Sequence, residues 1–527
     1  MTESQVMRRG LVLIFAVWLI ALLGLAIGTV SKSPISFLWP MGQDIDWSLI
    51  LKQGIGAKAA EQEFSFDHRN PLSGWAYSAV APLILGHQYG FHLVRLLSCL
   101  MLGISVFLLA HRFGRGERAS FPVMLGSIVS VWWFWSNYTQ VVWIMLFALA
   151  LSVLTVWSYC VYVDSGRTRG IFYAWSLSLW LIALGIYTIQ CGAIFAVGLI
   201  ALLRGSERGF RIAIRDLSPY GVVAICFLFL WMAAAPGFFS DPSVSATTGL
   251  HISTGAFMHS TEYLFWHPSF SYLLWALSYH PWLIATAVVL PLLVAPAIFF
   301  LYREAEMANR TTFVWILATA GCLAVPTVLL ESTSPIWTPG LRSDMLFAAF
   351  VPMAYLSMAG LLFSFLPRKA SKAATAVFAF VMGTTVVAAD LEQLREGAEV
   401  MQWQKHLVEG LAPIQNETAA PLHFVVINKG IDWIGSPALT RFIQDKLNRV
   451  PPIWSPDSHP QDTTGRFAAG DPIEFGPTGV KGALYGNSTP VPASSVRVVE
   501  FDGSHVTPCV DFRLNSTETA CHVDERH

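Results

Sequence analysis

Apolar runs that are each about long enough for a helix to cross a bilayer divide the first 390 residues of this chain. A hydrocarbon core of about 30 Å takes roughly 20 apolar residues in a helix. Eleven runs of this kind lie at about 11–30, 89–110, 120–136, 140–162, 171–187, 188–203, 217–239, 282–302, 312–331, 345–366 and 373–390. The fifth and sixth form one stretch interrupted only by Tyr187, Thr188 and Gln190, which predicts a tight helical hairpin. The pattern predicts a mainly α polytopic membrane protein with about 11 transmembrane helices.

Composition excludes several other classes of protein. Only 13% of the residues are charged and 54% are hydrophobic, whereas soluble domains carry about 25% charged residues. A soluble globular enzyme, a disordered chain and a small disulfide scaffold all fit these values poorly. The net charge of −1 argues against a nucleic-acid partner.

Lysine and arginine are distributed unevenly between alternate loops. With a cytoplasmic N-terminus, the inward loops hold 16 of these residues and the outward loops hold 5. Cytoplasmic loops are generally the basic ones, so the chain is predicted to lie in the cell inner (plasma) membrane with its C-terminal tail periplasmic or extracellular. The run at 11–30 is longer than the apolar region of a signal peptide and is predicted to be a retained first helix.

Three large outward segments, at about 31–88, 240–281 and 391–527, complete the predicted organisation. Within the transmembrane domain at 1–390, the loop at 31–88 has a helical apolar stripe at Trp47, Ile50, Leu51 and Ile55. This stripe fits a helix on the membrane surface, or a helix packed on its own domain.

The tail at 391–527 is polar and rich in Pro and Gly. Its runs at 423–428 and 495–501 are typical of strands, which predicts a small α/β or α+β extracytoplasmic domain. Cys509 and Cys521 both lie in this tail and would form a disulfide in an oxidising compartment.

Two acids beyond the first predicted span are the candidate catalytic residues. Asp44 and Asp46 lie about fifteen residues after that span, between aromatic and turn residues. An Asp-x-Asp pair can chelate a divalent cation, although the nucleotide sugars that such a cation often carries are made in the cytosol. Asp46 would alternatively cap the following surface helix.

Further outward polar residues are candidates for binding substrate. Arg69 and Arg342 are candidate ligands of a phosphate because a guanidinium fork matches that group. Arg342 could instead pair with Asp344 or anchor the chain at the interface. The remaining candidates are His68, His87, His259 and Glu262, whose spacing matches no common metal site.

Sequence motifs near the N-terminus resemble those of GT-C glycosyltransferases. The acidic pair is followed by Asn-Pro-Leu-Ser-Gly-Trp at 70–75 and by a Gly-then-Arg-Leu helix start within 85–98. Within that superfamily the chain is most similar to lipid A aminoarabinose transferases and protein O-mannosyltransferases. The late Arg342 with Pro352 is similar to their arginine-then-proline helix, and the hairpin at Tyr187 and Gln190 is similar to that of serotype-converting glucosyltransferases.

The resemblance implies an enzyme that transfers a sugar, with inversion, from a polyprenyl-phosphate donor to an outward glycan, lipid or protein acceptor. It implies Asp44 as general base, with Asp46 one position later than the family's second acid, and Arg69 and Arg342 facing the donor phosphate. A divalent cation is optional in this scheme. The alternatives are a polysaccharide polymerase or ligase that depends more on arginines, and a transporter or flippase for a lipid-linked precursor.

Overall fold

The computed structural model describes two separate groups of residues, one helical and one rich in strands. The described residues are 72–86, 90–113, 143–187, 192–205, 210–234, 258, 310–333, 351–367, 370–371, 374, 378, 402–403, 405–417, 422–428, 453–454, 474–476, 479–481, 492–509, 511–514 and 519–522. The predicted domain boundary at residue 390 lies outside them and stays a prediction.

Eight helices make up the described part of the first unit. They are α1 Ser73–Gly86, α2 Gly90–Phe113, α3 Trp143–Asp164, α4 Gly170–Ile186, α5 Ala193–Gly205, α6 Phe210–Ala234, α7 Arg310–Thr333 and α8 Val351–Phe363. All except α1 coincide with predicted apolar runs, so the helical character of those runs is confirmed. The predicted runs 11–30, 120–136 and 282–302 lie outside the described residues, as does nearly all of 373–390.

Helix α3 is the packing centre of this unit. It contacts α1, α2, α4 and α5, and most of its side chains are buried. Helix α7 packs on α2, α5 and α8, while α6 packs on α4 and α5. Among the described residues, α3 is the helix that is long and apolar enough to cross a membrane. Of its most apolar 18-residue stretch, 83% is buried inside the protein. The full number of membrane spans therefore stays a prediction.

The apolar stretch at 171–203 is broken where the sequence predicts a break. Helix α4 ends at Ile186 and Tyr187 has an extended backbone, with φ −152° and ψ 108°. Helix α5 begins at Ala193, so the stretch forms two helices rather than one. Both helices pack on α3.

Several large apolar side chains of α4 and α6 are exposed, while Ser176 and Asp216 on the same helices are buried. On α6, Asp216 is 3% exposed, whereas Val222 and Phe229 are 59% and 66% exposed. On α4, Ser176 is fully buried and Trp175 is 57% exposed. This inverted distribution suits helices whose outer faces contact hydrocarbon rather than water, because buried polar groups pair with one another in a membrane.

The second unit is built around a four-stranded mixed sheet. The strands are β1 His423–Asn428, β2 Ile453–Trp454, β3 Glu474–Gly476, β4 Gly479–Lys481, β5 Val496–Phe501, β6 Val506–Pro508, β7 Asp511–Leu514 and β8 Thr519–His522. The sheet order is β2-β1-β5-β6, with β1 parallel to β2 and β5, and with β6 antiparallel to β5. The two remaining pairs, β3-β4 and β7-β8, are antiparallel ribbons.

The strand predictions in the tail are confirmed for both runs. Residues 423–428 form β1, and the run at 495–501 forms β5 with Ser495 in the preceding turn of 3-10 helix. Alternate side chains of β5 at Val496 and Val498 are buried, as expected of a strand on a core. A helix at 405–416 buries Leu407 and Leu411. Cys509 is disulfide-bonded, as the predicted pairing requires of that cysteine.

Candidate functional site

None of the residues predicted to act on substrate falls within the described part of the chain. The predicted base and its neighbour, the two predicted phosphate ligands and the four further candidates are Asp44, Asp46, Arg69, Arg342, His68, His87, His259 and Glu262. Their roles therefore stay predictions. Among the described residues, no group of three His, Cys, Asp or Glu side chains is close enough to hold a metal ion.

The Pro-Leu element of the resemblance enters the described structure at Leu72. The Leu72 backbone N–H donates to the Gly185 carbonyl oxygen at 2.7 Å, near the C-terminus of α4. The Leu72 side chain fills the space beside Gly185, where an added Cβ would lie 2.6 Å from Leu72 Cδ1. An alanine at this position would force the Leu72 side chain to shift, because Leu72 Cδ1 and Cγ occupy the space that its Cβ needs. This contact fixes the chain three residues after Arg69.

An aromatic contact holds helix α1 at the same end of the bundle. The rings of Tyr77 on α1 and Trp143 at the start of α3 meet edge to face, with centroids 5.2 Å apart. Tyr77 is 1% exposed and Trp143 is 3% exposed. Edge-to-face pairs contribute about 0.5–1.5 kcal/mol beyond their buried area. The sequence analysis missed α1, which falls inside the predicted outward loop 31–88.

A buried ion pair lies at the opposite end of the same helices. Arg167 Nε, in the turn between α3 and α4, lies 2.7 Å from Asp216 Oδ2 on α6. The Arg167 side chain is 8% exposed and that of Asp216 is 3% exposed. Arg215 Nη2 lies 3.7 Å from Asp216 Oδ1 with its side chain 69% exposed. Arg167 also has a left-handed backbone, with φ 68°, directly after Gly166 with the same φ.

Asp216 stabilises the charged form of Arg167. Burial alone would lower the pKa of the guanidinium, but the hydrogen bond to Asp216 and the charge of that carboxylate raise the pKa above its ordinary value. Arg167 therefore stays charged at any physiological pH. An uncompensated charge at this depth would be strongly destabilising, so the pair is mutually dependent.

Four tyrosines surround this ion pair and are called here the tyrosine cluster: Tyr159, Tyr162, Tyr173 and Tyr220. The Tyr159 hydroxyl donates to Asp216 Oδ2 at 3.5 Å, and the Tyr173 hydroxyl donates to the Asp216 backbone carbonyl at 2.6 Å. Their rings meet with centroids between 5.0 and 6.5 Å apart. The cluster joins α3, α4 and α6 at one end.

Serine and threonine extend the hydrogen-bond chain into the bundle. The Tyr220 hydroxyl donates to Ser176 Oγ at 2.5 Å, and Ser176 Oγ donates to the Thr155 carbonyl at 2.7 Å. All three side chains are fully buried. These groups satisfy one another, as buried polar groups between closely packed helices must.

The sequence analysis did not single out the ion pair. Arg167 and Arg215 entered only as inward loop charges, and Asp216 immediately precedes the predicted span at 217–239. The observed helix begins seven residues earlier, at Phe210. The available signal was an acid among inward arginines at the edge of an apolar run, where an ion pair is expected.

A second ion pair marks the same end of the bundle. Arg112 Nε near the C-terminus of α2 lies 2.8 Å from Asp164 Oδ2 at the C-terminus of α3. Both ion pairs therefore lie at the end of the helices opposite to Leu72, Tyr77 and Trp143. One end carries arginines and the other carries the Pro-Leu element.

Comparison with known proteins returns two solved structures of one protein. No family model and no curated protein matches the sequence. The chain is similar to ArnT from Cupriavidus metallidurans bound to undecaprenyl phosphate, with 12% identity, a TM-score of 0.43 and 86% of each chain covered. It is similar to the apo state of the same protein with 13% identity and a TM-score of 0.38, covering 82% of this chain and 86% of that chain.

Proposed function

We propose that this protein is a membrane glycosyltransferase that moves a sugar from a polyprenyl-phosphate donor to an acceptor on the extracytoplasmic side. The observation that carries the proposal is that arginine ion pairs and the Pro-Leu element lie at opposite ends of one helical bundle. Arg112 and Arg167 lie at one end, and the end of the Asn-Pro-Leu element lies at the other. Under the positive-inside rule, the Pro-Leu end and the acids that precede it face outward.

The chemistry that this arrangement supports needs one carboxylate and at least one cation. Asp44 accepts the proton of the acceptor hydroxyl while the hydroxyl oxygen attacks the anomeric carbon of the sugar. The bond from that carbon to the phosphate oxygen breaks, and the polyprenyl phosphate leaves with the electron pair. Attack opposite to the leaving group inverts the anomeric configuration. Arg69 and Arg342 stabilise the charge that develops on the phosphate.

Leu72 has a positioning role in this proposal. Its backbone bond to Gly185 ties the segment after Arg69 to the end of a packed helix rather than leaving it on a long loop. A residue that binds phosphate is most effective when its N–H groups are held in place before the lipid-linked sugar arrives. The anchored Leu72 is the first described residue after Arg69 in the sequence, and the proposal assigns it this positioning role.

The test is transfer from a panel of polyprenyl-phosphate sugars by the purified full-length protein. Asp44→Asn is expected to lower transfer by about 10²- to 10⁴-fold, the usual contribution of a general base. Donor binding and folding should be unchanged, whereas Arg342→Ala should weaken donor binding. Glu61→Gln, at another acid of the same predicted loop, is the matched control and should keep full activity.

Each rival function has its own outcome in this assay. Wild-type turnover in Asp44→Asn would exclude Asp44 as the base. Full activity after replacing Asp44 and Asp46 together would favour a polymerase or ligase that depends on arginines. Movement of the lipid-linked substrate across liposomes with no new glycosidic bond would identify a transporter.

A further inference from the structure

The arginines around Asp216 outnumber the acid that they share. Arg167 and Arg215 both make their ion pairs, within the described residues, with Asp216 alone. One carboxylate thus serves two guanidinium groups, and the group of three residues carries a net charge of +1. Arg169 and Arg211 are exposed nearby, at the N-cap of α4 and in the first turn of α6. The local field therefore favours an additional anion.

One donor of the buried arginine has no acceptor. Arg167 Nη2 is buried and has no hydrogen-bond partner among the described residues, although Nε of the same group binds Asp216. Guanidinium has five N–H donors in a fixed fork that matches the oxygens of phosphate. Buried donors are normally satisfied, so this nitrogen indicates that a further acceptor is missing from the protein itself.

Exposed side chains next to these arginines determine which kind of anion fits. Phe210 and Ile214 on α6 are 67% and 51% exposed, and Ile171 and Trp175 on α4 are 62% and 57% exposed. Phe210 and Ile214 are next to Arg211 and Arg215 in sequence, and Ile171 and Trp175 lie in the first two turns of α4 after Arg169. A free phosphate would gain nothing from such a surface, whereas acyl chains of a lipid would cover it.

We propose that the Arg167 and Arg215 end of helices α4 and α6 binds the phosphate headgroup of an anionic phospholipid of the inner leaflet. Arg215, whose side chain is 69% exposed, contacts the headgroup directly, and a local side-chain movement on binding brings the unsatisfied Arg167 nitrogen to the same phosphate. Acyl chains run along the exposed apolar faces of α4 and α6. This site uses the predicted orientation but is separate from glycosyl transfer, which the proposed function assigns to the other end of the bundle.

The test measures lipid binding to the purified full-length protein by native mass spectrometry. The probes are phosphatidylglycerol, phosphatidylcholine of the same chain length, and inorganic phosphate. Phosphatidylglycerol should bind most tightly, and Arg215→Gln should weaken its binding by about tenfold, the equivalent of one charge-assisted hydrogen bond. Arg112→Gln is the matched control, because Arg112 lies at the same end but is paired with Asp164, and it should leave the affinity unchanged.

Several outcomes would overturn the proposal. Equal phosphatidylglycerol affinity in the wild type and Arg215→Gln would remove Arg215 from the site. Equal loss in Arg112→Gln would show nonspecific attraction of anionic lipid to a basic surface. Binding of inorganic phosphate as tight as that of phosphatidylglycerol would assign the site to a free anion instead of a lipid. Arg215→Lys, which keeps the charge but loses the fork, should give an intermediate affinity and guards against a misfolded glutamine variant.

Discussion

Breaking the buried pair between Arg167 and Asp216 should destabilise the protein by an amount that depends on which partner is replaced. Asp216→Asn leaves a permanently charged guanidinium that is 8% exposed and has no other acid within ion-pair distance among the described residues. Removing one partner of a buried pair usually costs about 3–5 kcal/mol. We expect Asp216→Asn to fall in that range.

Arg167→Gln should be milder because Asp216 keeps other partners. Arg215 Nη2 remains 3.7 Å from Oδ1, and the Tyr159 hydroxyl remains within 3.5 Å of Oδ2. We expect a loss of about 1–3 kcal/mol, typical of one lost charged hydrogen bond. The double variant should lose less than the sum of the two, with a coupling of about 0.5–3 kcal/mol.

Reversible unfolding of the full-length protein in mixed detergent micelles measures these differences. Arg112→Gln is the control, because the Arg112 and Asp164 side chains are 34% and 27% exposed. Partly exposed pairs contribute about 0–1 kcal/mol, so this variant should be close to the wild type. Equal losses of unfolding free energy in Asp216→Asn and Arg167→Gln would refute the predicted difference between the two partners. Additive losses in the double variant would refute the predicted coupling between them.

Two further predictions concern single residues in the two units. Gly185→Ala should destabilise the bundle by about 1–3 kcal/mol and lower transfer, because its Cβ would lie 2.6 Å from Leu72 Cδ1. Gly198→Ala is the control, because an added Cβ there has nothing within 4 Å. It should be neutral or stabilising in the same unfolding and transfer assays. Asp502 accepts backbone N–H bonds from His505 and Ser504, which lower its pKa below the ordinary 3.8. Its carboxylate therefore stabilises the fold above that value, and the contribution is lost as pH falls through the lower folded pKa. Thermal unfolding of the full-length chain should show Asp502→Asn less stable than the wild type near neutral pH, with the two converging in strong acid; parallel curves at all pH values would contradict this.

Local patterns in the sequence predict most of the described helices and two of the strands. Apolar runs locate α2 to α8 because a helix that contacts lipid or other helices has to be apolar over its length. Polar residues at Tyr187, Thr188 and Gln190 locate the end of α4. Strands β1 and β5 are rich in valine and other apolar residues, which local patterns detect. Their parallel pairing joins distant parts of the chain, and no local pattern indicates it.

Features that depend on contacts between helices were not predicted. Helix α1 has only 14 residues and contains Pro82, so it is too short to be identified as a membrane-spanning apolar run. It is held by Leu72 on Gly185 and by Tyr77 on Trp143. The pairing of Arg167 with Asp216 depends on a turn that places an arginine with positive φ beside a different helix. Counting charges by loop predicts an orientation but cannot identify which charges pair.

Two separate physical requirements constrain the side chains of helix α3. Insertion into a bilayer requires a segment to be hydrophobic when it leaves the translocation machinery. Once assembled, α3 is enclosed by neighbouring helices, and Ala148, Ala150 and Val153 are fully buried. As a predicted membrane span, α3 has to be hydrophobic to enter the bilayer, whereas side-chain volume governs its packing. A larger apolar residue at Ala148 would satisfy the first requirement and fail the second, so hydropathy alone would misjudge the tolerance of this helix to substitution.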